Sequence, residues 1–171
     1  MATLAGTSER GPVQSLAPDL IERVIAAGAA LMLVLLLAAV ARGHSQWRDV
    51  PALVWLHLGT IAVALAITPA MMLRRRGDRL HRRLGWVWAA AMFATALISL
   101  GVRTIRPGHF SLVHLFSVMT LVSVPLILVT ARRHKVARHR RTVRGLLIGG
   151  LMVAGFFTLV PSRLLGHWLL G

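Results

Sequence analysis

Five long stretches without a charged side chain constrain this sequence more than any other feature. They cover residues 24–41, 50–73, 84–102, 107–131 and 145–162 and are 18 to 25 residues long. A helix rises about 1.5 Å per residue, so about 20 apolar residues cross a hydrocarbon core of about 30 Å. Because lipid cannot pair exposed backbone polar groups, each stretch must be helical. The pattern predicts an all-α integral membrane bundle of five transmembrane helices.

The domain organisation follows from the same pattern. Residues 1–19 are predicted to be a flexible cytoplasmic tail, and residues 20–171 a single transmembrane domain. Helices two to five are expected to form a four-helix core, with helix one at its periphery. The first stretch resembles a secretory signal ending at Ala39-Val40-Ala41. Its apolar run is long and its basic flank is one arginine beside Glu22, which favours an uncleaved anchor.

The distribution of positive charge predicts the orientation. We call side B the side that holds the N-terminus and the loops after helices two and four, and side A the opposite side. Side B carries 15 of the 20 Lys and Arg residues, and side A carries 5. Short loops rich in Lys and Arg stay in the cytoplasm. We therefore expect a bacterial inner (plasma) membrane protein with its N-terminus cytoplasmic and its C-terminus extracytoplasmic.

Composition excludes several kinds of function. The chain has no cysteine, which removes thiolate catalysis, iron–sulfur clusters and cysteine zinc sites. No charged residue lies in the middle of a span, which argues against an ion-coupled transporter. The net charge of +15 sits in short runs between apolar stretches. These runs favour anionic lipid headgroups as partners over nucleic acid.

Tryptophans and small residues give further expectations about packing. Trp47, Trp55 and Trp168 are predicted at the side A interface, and Trp86 and Trp88 at the side B interface. The tail 161–171 is expected to lie along side A. Small residues recur at four-residue spacing, which allows close helix packing. These predicted ridges are Ala62, Ala66 and Ala70; Ala90 and Ala94; and Gly145 and Gly149.

Four of the eight histidines form a repeated pattern. His57 and His114 each lie near the side A end of a span, in helices that run in the same direction. His81 and His139 each lie just before the next span, at side B. The separations are 24 and 25 residues, and each half also has a proline and a His-Arg-Arg run. This pattern predicts a duplicated helical hairpin that brings His57 to His114 and His81 to His139.

Two histidines that face each other between membrane helices are what a six-coordinate haem b requires. The first hypothesis is therefore transmembrane electron transfer through one or two haems, with His57 and His114 holding one and His81 and His139 the other. A quinone or another redox protein would be the partner. The cations expected to bind haem propionates or lipid phosphates at side B are Arg82, Arg83, Arg140 and Arg141.

Other interpretations of the same residues stay open. The chain is alternatively a non-enzymatic membrane component whose His-Arg-Arg runs bind anionic lipid or a partner subunit without a cofactor. A zinc site would need Asp78, His81, His134 and His139 to converge, and the surrounding arginines oppose it. A small permease, and assembly into an oligomer, are further possibilities. Whether the chain is an enzyme stays undecided.

Several motifs resemble a bacterial membrane family. They are the run 81–86 (HRRLGW), the stretch 110–115 (FSLVHL), the second His-Arg-Arg at 139–141 and the ending 157–163 (FTLVPSR). Together they resemble domain-of-unknown-function family 2306, across about residues 50–171. This resemblance implies a small inner-membrane protein and no particular activity.

The histidine order has a second, looser resemblance. It is similar to that of the transmembrane dihaem b-type cytochromes reduced by ascorbate, in which four core helices carry one histidine each. In that family the second helix pairs with the fourth, and the third with the fifth. The resemblance implies the same haem pairs, but the sequence carries no ascorbate- or quinone-binding signature.

Overall fold

The computed structural model describes residues 17–74, 76–102 and 113–171, and these ranges contain helices and no strand. Five of the helical segments are long and apolar enough to cross a membrane, which confirms the predicted all-α, multi-pass architecture. The α-helices are α1 (Leu20–Arg42), α2 (Ala52–Leu73), α3 (Arg79–Gly101), α4 (Val113–Arg132), α5 (Val136–Leu146), α6 (Ala154–Thr158) and α7 (Leu164–Leu170).

The predicted spans agree with these helices in their centres and differ at their ends. The third and fifth spans begin earlier than predicted, at Arg79 and Val136, because the basic runs continue the helices as their first turns. Absence of charge marks only the part of a helix inside the hydrocarbon, so it underestimates the helix length. The predicted tail up to residue 16 and the start of the fourth span, 107–112, lie outside the described residues.

The five spans form a ring. α1 packs against α2, α2 against α3, α3 against α4 and α4 against α5, and the fifth span returns to α1. Helix one is thus a member of the ring, whereas the sequence led us to expect it at the periphery of a four-helix core. Ala29 and Ala39 of α1 have no exposed surface. In this ring α2 and α4 stand on either side of α3, so residues on their inner faces can approach a common space.

The fifth span changes its helical geometry in the middle. α5 leads into a π-helical segment, Leu147–Val153, which is followed by α6. Two glycines lie here against α4: a Cβ on Gly149 would be 3.1 Å from Met119 Cε, and one on Gly150 would be 3.1 Å from Thr120 Oγ1. The wider turn and the missing side chains allow close packing. Single π turns within α-helices are frequent at functional sites.

A buried hydrogen bond joins α2 and α3 in the interior of the bundle. The indole N–H of Trp88 donates to Thr68 Oγ1 at 3.0 Å, and both residues are buried. Trp88 was predicted at the side B interface together with Trp86, and for Trp88 this is wrong. Two positions along a helix turn the side chain by about 200°, so Trp88 points inward while Trp86 stays exposed. The guanidinium of Arg132 lies 5.2 Å from the Trp86 ring centroid.

The other three tryptophans cluster at side A, as predicted. Their rings also contact one another, which residues of an interfacial belt need not do. Ring centroids of Trp47 and Trp55 are 5.6 Å apart, and those of Trp55 and Trp168 are 6.3 Å apart. Trp168 in α7 is buried and donates to Gln46 Oε1 at 2.8 Å. A Cβ on Gly43 would lie 2.1 Å from the Trp168 ring, so this contact requires glycine. The C-terminal tail is thereby docked on α1.

Most of the predicted small-residue ridges do not lie at the packed contacts. Ala66, Ala70 and Ala90 are exposed, and a Cβ on Gly145 would have no described side chain or neighbouring helix within 4 Å. Four-residue spacing identifies one face of a helix but not which face meets a neighbour. Of the predicted ridge residues, Gly149 lies in close contact with α4, and Ala62 packs against the buried core. The alanines buried in the ring are Ala26, Ala29, Ala39, Ala64, Ala89, Ala91 and Ala96.

Candidate cofactor cavity

A cavity of about 670 Å³ lies inside the ring, in its side A half. Its lining is mostly apolar and comes from all five spans. Leu65 and Met92 are the residues of α2 and α3 that line it closest to side B. The hydrogen-bonded pair of Thr68 and Trp88 lies about one helical turn closer to side B than these lining residues, and we call this pair the floor. At the other end, loop residues such as Asp49 and Arg163 line it, so it reaches the side A surface.

His57 of α2 lines this cavity. Its Nδ1 lies 3.3 Å from the carbonyl oxygen of Thr95 on α3. A carbonyl oxygen accepts hydrogen bonds, so the ring carries a proton on Nδ1 and donates it to Thr95. Nε2 then keeps its lone pair. Metal-bound histidines commonly have this arrangement, because the second hydrogen bond fixes the tautomer and the ring plane.

His114 of α4 lines the same cavity and is 6% exposed. Its Nε2 atom is fully buried. The two histidines that sequence spacing paired at side A therefore line one cavity. They reach the cavity from two helices separated by α3 in the ring. The predicted pairing of helices two and four also places the two histidines on helices that are not adjacent along the chain.

Hydroxyl groups form a polar band at the level of the two histidines. Thr95 donates to Thr60 Oγ1 at 2.8 Å, and Ser117 donates to Ser99 Oγ at 2.9 Å. Thr95, Ser99 and Ser117 line the cavity, and Thr120 lines it deeper on α4. These hydroxyl groups form hydrogen bonds with one another or with backbone carbonyls, so they can lie in the cavity wall as paired polar groups.

The second histidine pair lies in a different setting. His81 and His139 at side B lie close enough to interact electrostatically, and neither lines the side A cavity. Nδ1 of His139 lies 3.0 Å from the carbonyl oxygen of Ile127, so it too donates its proton to a backbone carbonyl. Nδ1 of His81 is buried and has no hydrogen-bond partner in the part of the chain that the structure describes.

The four arginines expected to bind propionate or phosphate have different environments. Arg82, Arg83 and Arg141 are exposed at side B, and Arg82 donates to the carbonyl oxygen of Gly77 at 2.7 Å. Arg140 is instead paired with carboxylates of α1, at 2.9 Å from Glu22 and 2.6 Å from Asp19. Its charge is therefore already compensated by the protein.

Those carboxylates belong to a cluster that we call the side B ion cluster: Asp19, Glu22, Arg76, Arg140 and Arg144. Glu22 is 3% exposed and bonds to all three arginines, and Arg144 also bonds to Asp19. Asp19 caps α1 and forms a reciprocal capping box with Glu22. The cluster ties α1 to the α2–α3 turn and to α5.

The zinc interpretation has no structural basis in the described residues. No group of three or more histidine or carboxylate side chains there could hold a metal ion. His134 is exposed in the turn between α4 and α5, with φ of 52°. Asp78 caps α3 and accepts from the His81 backbone N–H.

Sequence reasoning missed two features. Arg163 lines the cavity mouth, and the sequence pattern assigned it no role. The other arginines of side A do not line the cavity or are not described: Arg42 and Arg48 are exposed outside the lining, and Arg103 and Arg106 lie outside the described residues. The side B ion cluster was missed too, although Asp19 and Glu22 are two of only 5 acidic residues and stand three apart at a helix start.

No protein-family model, no curated protein and no solved structure matches this chain. The resemblances to domain-of-unknown-function family 2306 and to the dihaem cytochromes therefore rest on the quoted motifs alone. What the side A cavity does must be inferred from its own chemistry.

Proposed function

We propose that the side A cavity binds haem b and that the chain is a transmembrane electron-transfer protein. The observation that carries the proposal is that His57 and His114, which come from two different helices, line one cavity inside the ring. Its volume of about 670 Å³ lies in the range of about 300–1,000 Å³ typical of small-molecule and cofactor sites.

The residues present fit this group in their chemistry. An apolar wall suits the porphyrin, and two imidazoles suit a six-coordinate iron. His57 has its Nδ1 proton donated to Thr95, which leaves Nε2 as the ligand atom. Bound haem supplies one-electron redox chemistry. The chain's own residues would bind and orient it, and the Trp88–Thr68 floor would separate it from side B.

A second haem between His81 and His139 stays a prediction. Those side chains lie near enough to interact electrostatically at side B, and His139 has the backbone hydrogen bond typical of a ligand histidine. A quinone or another redox protein as electron partner is likewise part of the proposal. Because the cavity opens at side A, we expect electrons to be exchanged with the partner on that side.

Absorption spectra of the purified protein test the proposal. After expression with ample haem, the wild type is expected to show a Soret band and the spectrum of a low-spin haem with two histidine ligands. His57→Ala or His114→Ala should reduce the haem content by one haem per chain. His44→Ala, at an exposed side A position, is the matched control. A wild type without a Soret band would contradict the proposal.

The orientation is proposed from the charge bias, with side B in the cytoplasm of a bacterium and side A outside its inner membrane. The chain has no native cysteine, so single cysteines report topology cleanly. A membrane-impermeant maleimide added to intact spheroplasts should label Ser45→Cys on side A and leave Lys135→Cys on side B unlabelled. The opposite labelling would reverse the orientation.

Anionic lipid binding at side B is a second candidate, favoured by a surface of exposed cations. Opposite charge attracts anionic headgroups by about 1 kcal/mol per cation. Replacing Arg82, Arg83 and Arg141 by glutamine should reduce copurified anionic lipid, whereas Arg42→Gln with Arg48→Gln on side A should not. Among the described residues, the exposed side B cations are Arg23, Arg74, Arg79, Arg82, Arg83, Arg132, Arg133, Lys135, Arg138 and Arg141.

A further inference from the structure

The mouth of the side A cavity carries an arginine with no assigned role. Of the described residues that line the cavity, Arg163 has the only fixed positive charge. It is half-buried, and it follows the fifth span where the chain turns into α7. Arg42 and Arg48, the other described arginines of side A, are exposed and do not line the cavity.

The backbone around Arg163 is held firmly. Its N–H donates to the carbonyl oxygen of Val160 at 2.8 Å. α7 passes so close that a Cβ on Gly166 would lie 2.0 Å from the same oxygen. The Trp168–Gln46 hydrogen bond then fixes α7 on side A. A cation on such a fixed turn loses little backbone freedom when it binds an anion.

We infer that Arg163 binds the anionic end of the ligand in the side A cavity, so that the propionates of the haem lie at the mouth. This inference rests on the proposed function. The porphyrin then lies in the apolar interior between His57 and His114, and its charged end meets water and a guanidinium. A guanidinium with a carboxylate is among the stronger hydrogen-bonding pairs.

Asp49 lines the same mouth and has the opposite charge. Its carboxylate repels a propionate, so Arg163 and Asp49 should act on the ligand with opposite sign. Their side chains are reached by water, so each effect is moderate. Removing either charge could disturb the fold, but only an effect of charge on the ligand would have opposite sign at the two positions.

The experiment measures haem loss from the purified full-length protein to excess apomyoglobin. Arg163→Gln should lose haem about tenfold faster than the wild type. Arg163→Lys should restore part of the retention, and Asp49→Asn should slow the loss. Arg48→Gln is the matched control and should behave as the wild type. Size-exclusion profiles establish that each variant is folded.

Haem b dimethyl ester, which lacks the propionate charges, completes the test. It should leave the wild type and Arg163→Gln at the same rate. Equal rates for haem itself, or a tenfold acceleration that persists with the ester, would overturn the role of Arg163 while leaving haem binding intact. A wild type that binds neither compound would refute the proposed function itself, together with this inference.

Discussion

The side A and side B halves of the bundle are built differently, although the sequence repeat places one pair of histidines in each half. The side A half encloses a cavity with two histidines, hydroxyl groups and a mouth. The side B half is closed by ion pairs among Asp19, Glu22, Arg140 and Arg144. Two histidine pairs that arise from the same repeat therefore do not imply two equal sites. What differs is helix one, which has no counterpart in the repeat and places its two acids at side B.

The largest effect is expected at the side B ion cluster. Glu22→Gln leaves three arginines with only Asp19 as a counter-charge, and loss of one partner of a buried ion pair costs about 3–5 kcal/mol. Thermal unfolding in detergent measures this. Asp78→Asn, in an exposed pair with Arg74, is the control and should change stability far less. Equal losses of stability in both variants would show that the side B ion cluster stabilises the fold no more than an exposed ion pair does.

Added volume should distinguish the packed and open parts of the ring. Ala29→Leu, in the closed contact of α1, should cost about 1–3 kcal/mol by overpacking. Ala96→Leu extends into the cavity and should cost less than about 1 kcal/mol while haem binding is lost. Unfolding and haem titration of the same samples compare the two. An Ala96→Leu protein as unstable as Ala29→Leu would mean that the cavity is not open space.

The floor, which lies between the side A and side B halves, is expected to contribute less to the free energy of unfolding. Trp88→Phe removes the hydrogen bond to Thr68 and part of a buried ring, which should cost about 1–2 kcal/mol. Trp86→Phe, on the exposed face, should change unfolding by less than about 0.5 kcal/mol. If the two substitutions have the same effect, Trp88 does not separate the halves.

The smallest effect concerns pH. Burial alone raises the pKa of Asp19, but hydrogen bonds from Arg144 and the Glu22 backbone, with the nearby Arg140 charge, outweigh it and hold this pKa below its ordinary value. A lowered folded pKa gives stability that is present above the unfolded pKa and lost as pH falls through the folded one. Acid unfolding should therefore begin at side B. Asp19→Asn should flatten that acid limb, and an unchanged limb would contradict this.

Much of the fold was predictable because it depends on length and polarity alone. Five spans, the cluster of tryptophans at side A and the convergence of His57 and His114 on one space all follow from counting along the chain. The inward direction of Trp88, the π-helical segment at Leu147–Val153 and the pairing of Arg140 with Glu22 depend on how helices rotate against their neighbours. Hydropathy carries no information on that rotation.

Electron paramagnetic resonance of the ferric protein tests the central claim most directly. The double variant His81→Ala/His139→Ala isolates the side A pair. We expect this variant to retain one haem with the low-spin signal of two imidazole ligands, and we expect the signal to vanish when His57→Ala is added. A haem whose signal is unchanged by His57→Ala, or a double variant that binds no haem, would contradict the assignment of His57 and His114 as its ligands.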